Sequence, residues 1–216
     1  MLTAKLGAVL SRPLDALVRT LAHVSPDVLT ITGLCLNAAA CAFFALAAGP
    51  EYVSPAMLRV GGIVALAGAV FDMLDGRVAR LRGRETRFGA YLDSTMDRYS
   101  DMLLYLGLMI LYARLDETLL MVLVWVAAFG SFMTSYARAR AESLIPECRV
   151  GLMERPERVV LLIAGAILNK MVPVLWIIAV LSNITAIQRV VYTYVELKRG
   201  WSHVLVPRRS REDVED

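Results

Sequence analysis

The sequence predicts an all-α integral membrane protein, with six transmembrane helices and an N-terminal amphipathic helix lying in the membrane interface. Three observations carry that prediction. Hydrophobic residues make up 57% of the 216 positions and mean hydropathy is +0.57, above what a soluble domain of this length shows. The apolar excess falls in blocks of roughly 18 to 25 residues, the length a helix needs to cross a hydrocarbon core of about 30 Å. Basic residues, finally, crowd between alternate blocks and are scarce between the others.

Residues 1–23 place Leu6, Leu10, Leu14, Leu17 and Leu21 at helical spacing against Lys5, Arg12 and Arg19, the pattern of a helix lying in the interface. They lack an apolar core followed by a small-residue cleavage site, so a removed signal peptide is not expected. Ser25-Pro26-Asp27 punctuates the chain and offers caps for a following helix. The first span is predicted at about 29–49, ended by Gly49-Pro50, and the second at about 56–76. The third is expected at about 89–113, the fourth at about 118–140, a short fifth at about 156–169 and the sixth at about 172–197. One membrane domain over residues 1–200 follows, with a polar tail over 201–216. Cys35, Cys41 and Cys148 fit no metal or disulfide spacing, and His23 and His203 have no partner spacing. No nucleic-acid partner is expected.

Six spans put both termini, the 77–88 loop and the 138–158 connection on one side. Those segments carry almost all the basic residues, whereas the opposite side has only Arg59, Arg114 and Lys170. By the positive-inside rule the basic side is cytoplasmic, giving a multi-pass protein of the cytoplasmic membrane.

Chemistry concentrates in spans two and three. Asp72 and Asp75 are three apart and project from one face of a helix end; Asp93 and Asp97 are four apart at the start of the next helix. The loop between is short enough to make these helices antiparallel neighbours, so four carboxylates converge near the cytoplasmic surface. Unpaired, they would repel one another and be costly to desolvate. Divalent cations resolve that cost, and oxygen-only ligands select Mg²⁺ or Mn²⁺ over Zn²⁺. Two such ions are the usual device for phosphoryl displacement. Asp72 and Asp75 taken alone, beside nearby arginines, read equally well as a solvated network of ion pairs. Asp101 continues the spacing of four and is expected to act structurally or behind the ligands.

The string Asp72-x2-Asp75-Gly76-x2-Ala79-Arg80-x8-Gly89-x3-Asp93-x3-Asp97 resembles, position for position, the signature of the CDP-alcohol phosphotransferase family. The family's six-helix architecture with an N-terminal interfacial helix covers nearly the whole chain. The resemblance implies that Asp72, Asp75, Asp93 and Asp97 bind two Mg²⁺ ions, with Asp97 also taking the proton of the acceptor hydroxyl. It places the CDP-lipid, a CDP-diacylglycerol, against Gly76, Ala79 and Arg80, with Thr86 nearby and Asp27-Val28-Leu29-Thr30 contributing. It implies attack by an alcohol on the lipid-linked phosphorus, release of CMP, and a homodimer.

The acceptor is read from other residues. Ser135 and Arg138 end the fourth span, Arg155 and Arg158 open the fifth, and Arg189 lies near the end of the sixth. Guanidinium groups facing one cavity suit an acceptor that already bears a phosphate; any one of them also reads as a positive-inside arginine. The run from Gly151 to Arg158 resembles bacterial phosphatidylinositol-phosphate synthases, which use inositol 1-phosphate, and implies that these five residues hold the acceptor phosphate. Arg138 departs from that pattern, standing where a Lys is expected. The alternatives are the same chemistry on glycerol 3-phosphate or serine, and, outside enzymes, a cation transporter. Transporter acids belong near the bilayer midplane in repeated halves, and no repeat is visible here.

Overall fold

Two Ser-Pro pairs start the first two helices. In the computed structural model, which describes residues 23–49, 52–83 and 86–200 together with Val18 and Thr20, Ser25 and Ser54 accept hydrogen bonds from the backbone N–H of Val28 and Met57. Pro26 and Pro55 occupy first-turn positions, where a missing N–H costs nothing. Helix α1 therefore runs Pro26–Leu46 and α2 Pro55–Leu81. The first helix starts three residues ahead of its predicted span because the cap, rather than hydropathy, sets its origin. Helix α3 (Arg87–Arg114) is capped by Thr86, whose Oγ1 accepts from Gly89 N at 2.9 Å. Helices α4 (Thr118–Ala141), α5 (Arg155–Ile167) and α6 (Met171–Lys198) follow, and α5 opens on a capping box between Glu154 and Glu157.

All six described elements are helical, and α1, α2, α4 and α6 are long and apolar enough to cross a membrane. Helix α3 has the length but carries Asp93, Asp97, Arg98 and Asp101 in its first half, and α5 has only 13 residues. The predicted interfacial helix over 1–23 lies almost wholly outside the described residues, as does the 201–216 tail.

Helix α1 packs on α2 and α3, and α4 packs on α6; α2 against α5, α3 against α4 and α5 against α6 join these groups. The approach is close because side chains are missing where backbones meet. A Cβ on Gly107 of α3 would lie 2.5 Å from the carbonyl oxygen of Cys41 on α1. Such small-residue contacts are how helices associate in lipid, where there is no water to expel. The main apolar core draws on Phe44, Leu58, Leu108, Leu111, Leu162 and Leu175, all buried. A smaller cluster of Val18, Leu29, Leu74 and Val78 lies beneath the start of α1 and the end of α2. It locks those two segments together, at the end of the bundle where the acidic residues converge.

Candidate metal and diphosphate site

Helices α2 and α3 are not packed directly on each other as the short loop predicted; each packs on α1, and the end of α2 and the first half of α3 come together beside its start. Carboxylate oxygens of Asp72, Asp75 and Asp93 come within 4.8 Å of one another. Asp75 is the deepest, at 3% exposure, and is held on both sides. The Thr30 hydroxyl donates to its Oδ2 at 2.5 Å, and the Gly76 amide donates to its Oδ1 at 2.5 Å. Asp97 joins through Arg155, whose Nη1 lies 2.7 Å from Asp72 Oδ2 and 2.7 Å from Asp97 Oδ1. Those two oxygens are therefore no farther apart than twice that distance, and all four aspartates converge. Asp97 thus shares Arg155 with Asp72, and its other oxygen lies 3.4 Å from Arg98.

The residues expected to meet the CDP-lipid lie at the start of α1, the end of α2 and the cap of α3, the elements that carry this cluster. Asp27 and Val28 are exposed in the first turn of α1, while Leu29 is buried against Leu74 and Val78. Leu29 thus contributes packing, and its side chain is turned away from the opening. Thr30 is also buried, committed to Pro26 O and to Asp75. Gly76, Ala79 and Arg80 line the same end of α2; the Arg80 guanidinium lies over Gly76, 3.7 Å from where a Cβ would stand. Thr86 is spent as the α3 cap.

The five acceptor residues divide into two groups, each organised by a carboxylate. Arg155 and Arg158 share Asp101, at 3.1 Å and 3.8 Å, and Arg158 Nη2 donates to Ser135 Oγ at 3.2 Å. Arg138 and Arg189 share Glu154 Oε1, at 3.4 Å and 3.7 Å. Arg189 is buried and already donates to the carbonyls of Thr134 and Val150 at 2.7 Å and 2.9 Å. It is as much a staple between helices as a free cation. Sequence reasoning missed Glu154 as an organiser and gave Asp101 only a supporting place. The signal for Asp101 was its position one turn past Asp97; that for Glu154, next to Arg155 in sequence, was weaker.

The donor set suits a hard divalent cation. Its ligands are oxygens only, crowded within one coordination sphere, and half-buried at the end of an apolar bundle. Asp97 Oδ1 is buried without a hydrogen bond aligned on it and is held by charge alone. With Arg155 compensating Asp97, it is the crowding of Asp72, Asp75 and Asp93 that calls for a cation, because like charges brought together away from water are expensive.

Comparisons with known proteins agree. The archaetidylinositol phosphate synthase of Methanothermobacter thermautotrophicus is 36% identical over 88% of this chain and 93% of its own length. The phosphatidylinositol phosphate synthase of Mycobacteroides abscessus is 37% identical over 88% of this chain and 86% of its own. The crystal structure of the Mycobacterium tuberculosis phosphatidylinositol phosphate synthase with CDP-DAG bound matches with a TM-score of 0.73 at 32% identity, covering 85% of this chain and 94% of that one. The same enzyme in complex with manganese and citrate gives a TM-score of 0.73 at 33% identity, covering 84% and 88%. The family model for CDP-alcohol phosphatidyltransferases spans residues 23–195, from just ahead of the α1 cap to the last turn of α6. With its acidic signature gathered at one end of a helical membrane bundle, this chain belongs to the CDP-alcohol phosphatidyltransferase family.

Proposed function

We propose that the protein transfers the phosphatidyl group of CDP-diacylglycerol to inositol 1-phosphate and releases CMP. The observation that carries this reading is a pair of largely buried arginines, Arg155 and Arg158, immediately beside the aspartate cluster. Arg158 is 1% exposed, and its Nε and Nη1 have no hydrogen-bond partner. A buried cation with unpaired donors, next to a metal-suited cluster, suits an anionic acceptor better than a neutral one. The names of the relatives point the same way. Two of them differ in the lipid half and share inositol phosphate as the head.

In this reading Asp72, Asp75, Asp93 and Asp97 hold two Mg²⁺ ions, with Mn²⁺ able to substitute. When bound, the ions neutralise the carboxylates and the charge of the diphosphate and leaving CMP. Arg80 and the backbone opened by Gly76 and Ala79 orient the nucleotide diphosphate, and the exposed first turn at Asp27 and Val28 borders it. Leu29 and Thr30 act from behind, as packing and as the Asp75 partner, and Thr86 acts by fixing the start of α3. Asp97 accepts the proton of the acceptor hydroxyl as its oxygen bonds to the lipid-side phosphorus. The bond from that phosphorus to the bridging oxygen breaks, and CMP departs with that oxygen. Ser135, Arg155 and Arg158 hold the acceptor phosphate, with Arg138 and Arg189 as an outer pair.

The remaining parts of the reading rest on pattern. Residues 1–200 form one domain in which all six helices cross the cytoplasmic membrane, segments flanking α5 completing its short crossing. Residues 1–23 lie along the surface, and the site opens to the cytoplasm. The family resemblance supports a homodimer, which native mass spectrometry in detergent would reveal.

Purified protein with Mg²⁺, CDP-diacylglycerol and inositol 1-phosphate is expected to release CMP. Silence with inositol 1-phosphate, glycerol 3-phosphate and serine alike ends the proposal. Preference for serine would leave the chemistry standing and refute the arginine argument.

A further inference from the structure

Asp101 lies one turn beyond Asp97 on α3, outside the eight-position acidic signature, and is 7% exposed. Its oxygens face two arginines of another helix. Oδ1 accepts from Arg155 Nε at 3.1 Å, and Oδ2 lies 3.8 Å from Arg158 Nη2. Neither arginine is left with a free choice of position. Arg155 is drawn by its Nη1 to Asp72 and Asp97, so Asp101 fixes the opposite edge of the same guanidinium plane. Arg158 is tethered through Nη2 to Ser135 and Asp101, which leaves its Nε and Nη1 without partners. One turn further along α3, the Tyr105 hydroxyl and Ser131 Oγ are paired at 2.8 Å.

We propose that Asp101 is a positioning residue for the acceptor phosphate: it locks Arg155 and Arg158 into one fixed pair that recognises a phosphate monoester. The proposal rests on the phosphorylated-acceptor reading above and adds to it a residue that touches neither substrate. It also makes a prediction opposite in sign to simple electrostatics. A carboxylate beside the arginines repels an incoming phosphate, so charge alone says that neutralising Asp101 tightens acceptor binding. Positioning says that neutralising it loosens binding, because guanidinium forks recognise phosphate only when their donors are aligned.

The test compares Asp101→Asn and Asp101→Glu with the wild type, full length and in detergent micelles. KM is measured separately for inositol 1-phosphate and for CDP-diacylglycerol, alongside Tm. Asp101→Asn is expected to raise the acceptor KM about 10-fold or more, the loss of one charge-assisted hydrogen bond. KM for CDP-diacylglycerol is expected to stay within about twofold. Asp101→Glu keeps the charge at altered reach and is expected to fall between wild type and Asn. An unchanged or lower acceptor KM overturns the proposal, as does a rise of both KM values in step with a fall in Tm. If the Asn variant does not fold, the Glu variant decides: an acceptor KM above wild type supports positioning, and one equal to wild type refutes it. Failure of the wild type to use any phosphorylated acceptor sinks the functional reading instead, and is seen before any variant is made.

Discussion

Thr30 is 45 positions from Asp75 in sequence, yet its hydroxyl gives that carboxylate its strongest side-chain contact. A partner of this kind fixes which lone pairs a ligand can turn toward a cation, and losing one typically weakens metal affinity 10- to 100-fold. Thr30→Val keeps the shape and removes the donor. The Mn²⁺ or Mg²⁺ concentration for half-maximal CMP release is therefore expected to rise by about 10- to 100-fold, with little change in Tm. Asp97→Asn asks a different question. It retains volume and removes the proton acceptor, so kcat is expected to drop by about 10²- to 10⁴-fold while the protein still folds. Retention of full activity would remove Asp97 from the chemistry. The four aspartates were legible in the sequence because spacings of three and four dictate a shared helix face, and a short loop starts α3 at the end of the bundle where α2 finishes. Their partners were not. Thr30 and Arg155 arrive from 45 and 83 residues away, distances at which only tertiary packing decides who meets whom.

Among the elements, the segment between α4 and α5 shapes the acceptor side. It is strapped to α6 at two places. Thr185 Oγ1 accepts from the amides of Leu152 and Met153, both at 3.1 Å, and Arg189 Nε donates to Val150 O at 2.9 Å. Between the straps Gly151 adopts φ +142°, which side-chain-bearing residues rarely adopt, and a Cβ there would collide with Thr185 Cγ2. The strand of chain leading into Glu154 and Arg155 is thus held by a glycine that has no ready substitute. Gly151→Ala is expected to cost about 1–3 kcal/mol, lowering Tm by several degrees. It is also expected to raise KM for the acceptor more than KM for the CDP-lipid; equal effects on both would show that the segment serves stability alone. Nothing in the spacing of Gly151 and Thr185 announces that they touch. Helix α5 shows another limit of pattern reading. Its 13 residues rise about 20 Å, short of a full crossing, and its first turn is given over to charged residues that serve the site.

On the scale of the molecule, catalytic and structural demands are separated along the bundle axis. Apolar side chains and close glycine contacts fill the middle, while the aspartates and their arginines gather at one end. Hydropathy made the middle legible, since block length maps directly onto helices. The predicted third block, about 89–113, coincides with α3, although its acids and arginines leave this 28-residue helix outside those apolar enough to cross a membrane by composition. The same separation predicts how the protein lies in a cell. The acidic end is also the end where α2 finishes in Arg80, Arg82 and Gly83, whereas the α3–α4 turn contributes only Arg114. Arg87 and Thr118 mark the two ends, being exposed and separated by the length of α3, about 42 Å. In a background where Cys35, Cys41 and Cys148 are replaced by Ala, Thr118→Cys is expected to react with a membrane-impermeant maleimide on intact cells. Arg87→Cys is expected to react only after permeabilisation. The reverse pattern would put the aspartates outside the cell, away from any cytoplasmic nucleotide, and would refute the orientation argued from basic residues. Labelling of both from one side would mean that α3 does not cross at all, and that its charged first half keeps it at the surface.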